Sequence, residues 1–240
     1  MRAPLLRAQL ETALGERASS PFTDVETRPW ECVPSGIPAL DASVGGLPRG
    51  AIVEVFGAVS SGKTSLALSM LASRTQSGEV CALVDGTDAF DPESGAAAGI
   101  DLSRLLWVRC RNLDQILRST DLLLQGGGFG AIALDLSDLP QQSIRSVPLS
   151  AWFRFQRVIK NTPTVLLMIG REPAAKSAAA VVLRANLRKA SWDGLSRAPS
   201  HGLLLSQTQL DIEVVRLRHA SSRTTLSNKV HHNVRLHSYS

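Results

Sequence analysis

Short apolar runs alternate with stretches of helical periodicity through the middle of the 240-residue chain. The apolar runs contain few polar residues, which is typical of parallel strands that are buried on both faces of a sheet. Strands are predicted at 51–56, 80–84, 105–108, 131–136 and 164–169, and helices at 63–74, 113–124 and 150–160. Strands that alternate with helices predict a three-layer α/β fold with a mainly parallel sheet.

The pattern changes towards both ends of the chain. Residues 5–16 carry leucines on one side of a short predicted helix, and the segment that follows is rich in Ser, Thr and Pro, as linkers are. Beyond residue 177, antiparallel strands are predicted at 178–188, 202–205 and 209–218. We therefore expect a helical arm and linker at 1–28, a core at 29–220 and a tail at 221–240 that contains three of the five histidines.

A phosphate-binding pattern stands between the first predicted core strand and the helix after it. The sequence GAVSSGKT matches G-x-x-x-x-G-K-[ST] with the required strand before it and helix behind it. Its residues are Gly57, Ala58, Val59, Ser60, Ser61, Gly62, Lys63 and Thr64, and Ser65 follows directly. The glycines let the backbone approach phosphates, whose charge the loop N–H groups and the helix N-terminus attract. The pattern predicts that Lys63 contacts the β- and γ-phosphates of a nucleotide and that the Thr64 hydroxyl ligates Mg²⁺.

One acidic residue at a strand end suits the same site. Asp135 closes the apolar run at 131–134, where a carboxylate can position Mg²⁺ through its water shell. We expect Asp135 to serve as this metal residue and, with Lys63, as part of the catalytic set. An aspartate at a strand end can also cap a helix, and we expect Asp138 to be a turn or cap residue.

Charge is distributed unevenly along the chain. Residues 1–138 hold 11 Lys and Arg against 17 Asp and Glu, whereas residues 139–240 hold 15 against 4. This asymmetry indicates that the C-terminal part faces a polyanion or presents a solvated basic surface. No apolar run is long enough to span a bilayer, and we expect a cytoplasmic protein with no membrane contact.

Five segments can be compared with known families: SGIPALD at 35–41, GLPRGAIVEVFG at 46–57, SSGKTSLAL at 60–68, CALVD at 81–85 and AFDP at 89–92. Together they resemble the RecA recombinase family. The likeness covers most of residues 35–170 and is most specific in its first forty residues. It implies a RecA-like core that binds ATP at subunit interfaces, forms homo-oligomers and assembles on single-stranded DNA.

Departures from the family pattern concern hydrolysis and nucleotide recognition. Thr87 stands where the resemblance places the glutamate that activates water, and a threonine hydroxyl has no useful basicity near neutral pH. Asp91 matches the adenine-contacting aspartate, while Ser94 replaces the stacking tyrosine. Arg171 occupies the position of the glutamine that senses the γ-phosphate. The combination resembles the shortened ImuA-type relatives of bacterial mutagenesis cassettes. This resemblance implies an accessory role in SOS-induced translesion synthesis beside a RecA-like or polymerase-like partner. It also implies weak or absent ATP hydrolysis.

The basic half supplies candidate contacts to DNA or to a partner. The DNA loops of the family look shortened here, to 139–147 and 172–177, and we expect phosphate contacts from Arg171 and Lys176. Arg154 and Arg157 share one face of a predicted helix, and the same surface suits an acidic partner protein. Arg216 and Arg218 match the positions of two lysines that, in the RecA family, reach the ATP of a neighbouring subunit. The alternative is that they are outward-facing residues of an edge strand.

Three functions follow from these observations. The first is an ATP-binding accessory factor in DNA repair or translesion mutagenesis. The second is an active DNA-dependent ATPase that forms filaments on single-stranded DNA. The third is a non-catalytic protein-binding module that nucleotide stabilises.

Overall fold

The computed structural model describes residues 30–193, 204–218 and 228–232, so the predicted arm at 1–28 lies outside the described residues. Its strands are β1 (Cys32–Val33), β2 (Leu47–Pro48), β3 (Ala51–Phe56), β4 (Cys81–Asp85), β5 (Leu105–Arg109), β6 (Ala131–Asp135), β7 (Val165–Gly170), β8 (Val181–Asp193), β9 (Leu204–Leu217) and β10 (Asn228–His232). Its helices are α1 (Pro38–Val44), α2 (Lys63–Gln76), α3 (Pro92–Ala97), α4 (Leu113–Gly126), α5 (Gln141–Ser146) and α6 (Leu149–Ile159).

The main sheet is mostly parallel, as the apolar runs predict. Its strand order is β10-β9-β8-β3-β7-β6-β4-β5, and every neighbouring pair from β8 to β5 is parallel. The carboxyl ends of β3, β7, β6 and β4 therefore meet at one edge of the sheet. This is the edge at which open α/β sheets bind their ligands.

Helices cover both faces of the sheet and divide the core into two layers. One layer packs α1 and α2 against inward-facing residues such as Val53 and Val55, and the other packs α4, α5 and α6 against residues such as Ile52. On α6, Trp152, Phe155 and Ile159 are each at most 1% exposed, so their helical spacing places them on the core face of the helix. The predicted three-layer α/β fold is confirmed.

The C-terminal strands differ from their predicted bounds. The segments predicted separately at 202–205 and 209–218 form the single strand β9, because β8 pairs with it antiparallel from Leu204 to Leu217 and takes up its backbone hydrogen bonds. The pairing register between the two strands shifts at three places. Strand β10 lies inside the segment expected as a tail and pairs antiparallel with β9. Backbone pairing thus extends the sheet further than side-chain pattern indicates.

Candidate phosphate and nucleic-acid sites

The loop between β3 and α2 has the tight path that the phosphate pattern requires. A Cβ on Gly57 would stand 2.4 Å from both the Ala185 carbonyl oxygen and the Ser61 hydroxyl. Gly62 has φ +83°, and a Cβ there would stand 2.3 Å from the Leu210 side chain. Only glycine fits either position, since one lies against backbone and the other is left-handed and crowded. The β8–β9 hairpin, which carries Ala185 and Leu210, therefore supports the loop from the side.

Lys63 begins α2 and is only 6% exposed. Its Nζ donates to the Ala58 carbonyl oxygen at 3.1 Å. Burial lowers the pKa of Lys63, the charges of Asp135 and Asp138 raise it, and the Arg171 cation lowers it further. The charges of these three side chains thus act on Lys63, and the predicted Lys63 and Asp135 belong to one site.

The other loop residues differ in their access to solvent. Ala58, Val59, Ser60 and Thr64 are exposed, and Ser65 is half-buried. The Ser61 hydroxyl is buried and has no hydrogen-bond partner within the described residues. The loop thus combines a buried hydroxyl without a partner, a buried cation and two glycines in a crowded turn. This combination fits a phosphate.

Asp135 closes β6 at the carboxyl edge of the sheet. It is paired in register with Asp85 of β4 on one side and Ile169 of β7 on the other. Its Oδ1 accepts from the Ser137 backbone N–H at 2.8 Å. Burial raises the pKa of Asp135, hydrogen bonds from Ser137 lower it, and the neighbouring carboxylates of Asp85 and Asp138 raise it further. A nearby Mg²⁺ would favour the charged form of this carboxylate.

Asp85 is a buried carboxylate whose hydrogen-bonding capacity is already used. Its oxygens accept from the backbone N–H groups of Thr87 and Phe90, at 3.0 and 3.1 Å, and from the Trp107 indole at 3.1 Å. The Thr87 hydroxyl donates to it as well, at 3.1 Å. Burial raises the pKa of Asp85, but these hydrogen bonds outweigh burial and lower it overall. Such a carboxylate is a poor proton acceptor at neutral pH.

Asp88 is also engaged. Its two carboxylate oxygens accept from Nε and Nη2 of Arg109 at 2.6 and 2.7 Å. The hydrogen bond from Arg109 lowers the pKa of Asp88. Neither aspartate beside Thr87 is thus available as a substitute general base in this arrangement.

Asp91, the expected adenine contact, begins α3 as its N-cap. Its Oδ2 accepts from the backbone N–H of Ser94 at 2.9 Å and from the Ser94 hydroxyl at 2.6 Å. Both residues are exposed. Helix capping accounts for an aspartate at this position, and no contact with a nucleotide is needed to account for it.

Arg171 follows β7 directly and lies on the phosphate side. Its Nε donates to the Ser137 carbonyl oxygen at 2.7 Å, and its Nη2 donates to Asp138 at 2.9 Å. Because its charge acts on Lys63, the guanidinium stands near the phosphate loop rather than in the cleft described next. Asp138, expected as a turn or cap residue, lies in a turn and is also the ion-pair partner of Arg171.

A small open cleft lies between α5, the start of α6 and the loop after β7. The side chains that give it charge and an aromatic wall are Arg145, Trp152, Glu172 and Lys176. Arg145 pairs with Glu172 across the cleft at 2.6 Å. The cleft thus joins the two segments that the sequence marks as shortened DNA loops.

The remaining predicted cations lie elsewhere. Arg154 is on the outer face of α6, where it pairs with Asp121 at 3.3 Å, and Arg157 is exposed on the same helix. Arg216 and Arg218, on and directly after β9, donate within the same chain to the carbonyl oxygens of Lys176 and Ser177. Neither pair lines the cleft.

Sequence reasoning missed Glu54, which is 2% exposed in the centre of β3. Its Oε1 accepts from the backbone N–H groups of Ala174 and Ala175. The signal was present in the sequence, because a single acidic residue interrupts the otherwise apolar run AIVEVF.

Comparison with known families now places the chain. The family of the RecA N-terminal domain matches residues 5–142. The chain belongs to the RecA family. RecA of Streptomyces ambofaciens is 38% identical over 130 residues, which are 53% of this chain and 35% of that protein. RecA of Bifidobacterium breve is 36% identical over 130 residues, 53% of this chain and 33% of its own length. The chain therefore spans about a third of the length of these curated relatives.

Solved structures share the fold at low sequence identity. A RadB recombinase aligns with a TM-score of 0.54 at 19% identity and covers 77% of this chain and 89% of its own. A KaiC-like protein from Pyrococcus horikoshii aligns with a TM-score of 0.56 at 18% identity and covers 79% of this chain and 90% of its own. Among the helices of the described residues, none has the length and apolar character needed to cross a bilayer.

Proposed function

We propose that this RecA-family chain binds ATP and Mg²⁺ at Gly57–Thr64 and acts as an accessory factor in DNA repair, of the kind that serves damage-induced translesion synthesis. The observation that carries the proposal is the buried Lys63 beside Asp135 at the end of a glycine-constrained loop. Loop N–H groups and Lys63 would hold the phosphates, and Thr64 and Asp135 would hold the metal. Bound Mg²⁺ would offset phosphate charge.

The residues beside Thr87 support slow hydrolysis. Thr87 donates its hydroxyl to Asp85, and Asp88 is held by Arg109. No side chain of this segment is thus poised to take a proton from water, and a missing general base removes a contribution of about 10²–10⁴-fold. An active filament-forming ATPase is the competing function, and turnover distinguishes the two.

We predict a turnover number well below the enzyme median of about 10 s⁻¹, with or without single-stranded DNA. Thr87→Glu should raise turnover by at least about tenfold, because it restores a carboxylate at the family position. Thr87→Gln, which has a similar size and no basicity, is the matched control. Release of phosphate from ATP is the measurement. Wild-type turnover near the median, or equal gains from both variants, would favour the active ATPase.

Single-stranded DNA is our proposed ligand for the cleft between α5, α6 and the loop after β7. Lys176 and Arg145, the latter paired with Glu172, supply its positive charge. Trp152 is buried in the core, so phosphate contact outweighs base stacking there. The binding should therefore be insensitive to base sequence and strongly dependent on salt.

Replacing both Arg145 and Lys176 with alanine should weaken DNA binding and flatten its salt dependence by about 1–1.5 in log–log slope, at about 0.7 per phosphate contact. The control is Arg118→Ala, which removes an exposed arginine that is also ion-paired, but on α4. Fluorescence anisotropy of an oligo-thymidine across salt concentrations measures both. An unchanged slope in the double variant would assign the cleft to an acidic protein partner instead.

A further inference from the structure

The phosphate loop is crowded at its two ends and bare in its middle. Ala58, Val59 and Ser60 are exposed, whereas Gly57 and Gly62 stand at the ends in positions that leave no room for a side chain. An exposed stretch of this kind has little packing of its own. The direction in which the loop N–H groups point therefore depends on how the two ends are held.

The β8–β9 hairpin contacts both ends of the loop, in two different ways. At Gly57 the contact is made by backbone, because a Cβ there would stand 2.4 Å from the carbonyl oxygen of Ala185. At Gly62, the N-cap of α2, the contact is made by a side chain, because a Cβ there would stand 2.3 Å from Cδ2 and 2.7 Å from Cδ1 of Leu210. Only the second contact can be altered by changing a side chain of the hairpin.

The position of Leu210 is itself well fixed. Strand β9 lies between β8 and β10, and Leu210 is paired in register with Leu187 on one side and His232 on the other. Its side chain is 0% exposed and belongs to the core layer that also holds Ile212 and Val214 of the same strand. Leu210 therefore cannot move away from the phosphate loop without opening that core layer.

We infer that Leu210 is a positioning residue of the nucleotide site, which holds Gly62 so that the loop N–H groups face the phosphates before a nucleotide arrives. The inference rests on the proposed binding of ATP at Gly57–Thr64. A loop that is ordered in advance loses less conformational entropy on binding, and the saving appears as affinity. The affinity for ATP thus depends on the packing of the C-terminal hairpin, and ATP in turn stabilises that packing.

The first test is titration of the full chain with a fluorescent ATP analogue in the presence of Mg²⁺. Leu210→Ala should weaken binding about tenfold, because the loop end loses its support, whereas Leu210→Met fills a similar volume and should stay within about twofold of wild type. The matched control is Val214→Ala, which removes a buried side chain from the same face of β9, four residues further along, and should bind ATP like the wild type.

Wild-type affinity in Leu210→Ala, or an equal loss of affinity in Val214→Ala, would overturn the inference while leaving the nucleotide site intact. Failure of the wild-type chain to bind the analogue would instead overturn the proposed function.

The loop end can also be followed without nucleotide. The Leu66 amide donates to the carbonyl oxygen of Gly62 at 3.0 Å, so its hydrogen exchange reports how firmly Gly62 is held. We expect this amide to exchange faster in nucleotide-free Leu210→Ala than in the wild type, and at close to the wild-type rate in Val214→Ala. Equal exchange at Leu66 in the wild type and in Leu210→Ala would overturn the inference, whether or not ATP binds.

A graded series separates positioning from failure to fold. If Leu210→Ala does not fold, Leu210→Val keeps a branched but shorter side chain and should weaken ATP binding about threefold, between the effects of methionine and alanine. Circular dichroism establishes that each variant is folded at the temperature of the titration. Wild-type ATP affinity and wild-type exchange at Leu66 in folded Leu210→Val would overturn the assignment of Leu210.

Discussion

Replacing Lys63 with alanine should abolish tight ATP binding. The lysine is a buried residue of the phosphate loop. Burial and Arg171 lower its pKa, whereas Asp135 and Asp138 raise it. Removing one charge-assisted contact to a phosphate in such a site should weaken binding by at least about 100-fold. Titration with a fluorescent ATP analogue measures the change.

The matched control is Lys160→Ala, which removes an exposed lysine at the end of α6. It should leave ATP affinity unchanged. Circular dichroism should show both variants folded, since the Lys63 side chain donates its hydrogen bond to the carbonyl of Ala58 in the same loop and not to a distant element. Unaltered ATP affinity in the Lys63 variant would mean that Gly57–Thr64 is not the nucleotide site.

The central sheet and the phosphate loop could be predicted from sequence because each depends on local rules. The run at 51–56 coincides with β3, and the phosphate pattern needs only a strand before it and a helix after it. Asp135 was predictable for the same reason, because parallel strands bring their carboxyl ends to one edge.

Contacts between distant segments could not be predicted in this way. The bond from Glu54 to Ala174 spans 120 residues, and that from Arg216 to Lys176 spans 40. Arg171 illustrates the difference: its charge and loop position predict a DNA contact, but its ion pair with Asp138, 33 residues away in the sequence, could not be predicted from the pattern. Which of two neighbouring sites a side chain joins depends on packing that hydrophobic periodicity does not encode.

The long hairpin shows the same limit for backbone pairing. Polar residues between 205 and 209 suggest a break, yet β8 pairs with β9 through that stretch. Antiparallel strands tolerate polar residues where one face meets water, so the apolar pattern weakens without the strand ending. The hairpin also packs on Gly62 through Leu210, a contact that joins the C-terminal strands to the phosphate loop.

Replacing Asp85 with alanine should have the largest effect on stability. The carboxylate is 1% exposed and accepts from Thr87, Phe90 and Trp107. Its removal leaves several buried donors without a partner, and we expect the free energy of unfolding to fall by about 3–4 kcal/mol. Urea denaturation measures the loss. Asp88→Ala, three residues further along, removes an exposed ion pair and should change stability little.

The dependence on pH gives this prediction a second check. The pKa of Asp85 is lowered in the folded protein, because its hydrogen bonds outweigh the effect of burial. Its contribution to stability is therefore complete above the unfolded-state pKa of about 3.9 and is lost as the pH falls from there through the folded-state pKa. The stability difference between wild type and Asp85→Ala should be constant near neutral pH and shrink in acid. A difference that stayed constant down to acid pH would show that the lost packing of the side chain, and not its charged hydrogen bonds, is what holds the segment from Thr87 to Phe90 in place.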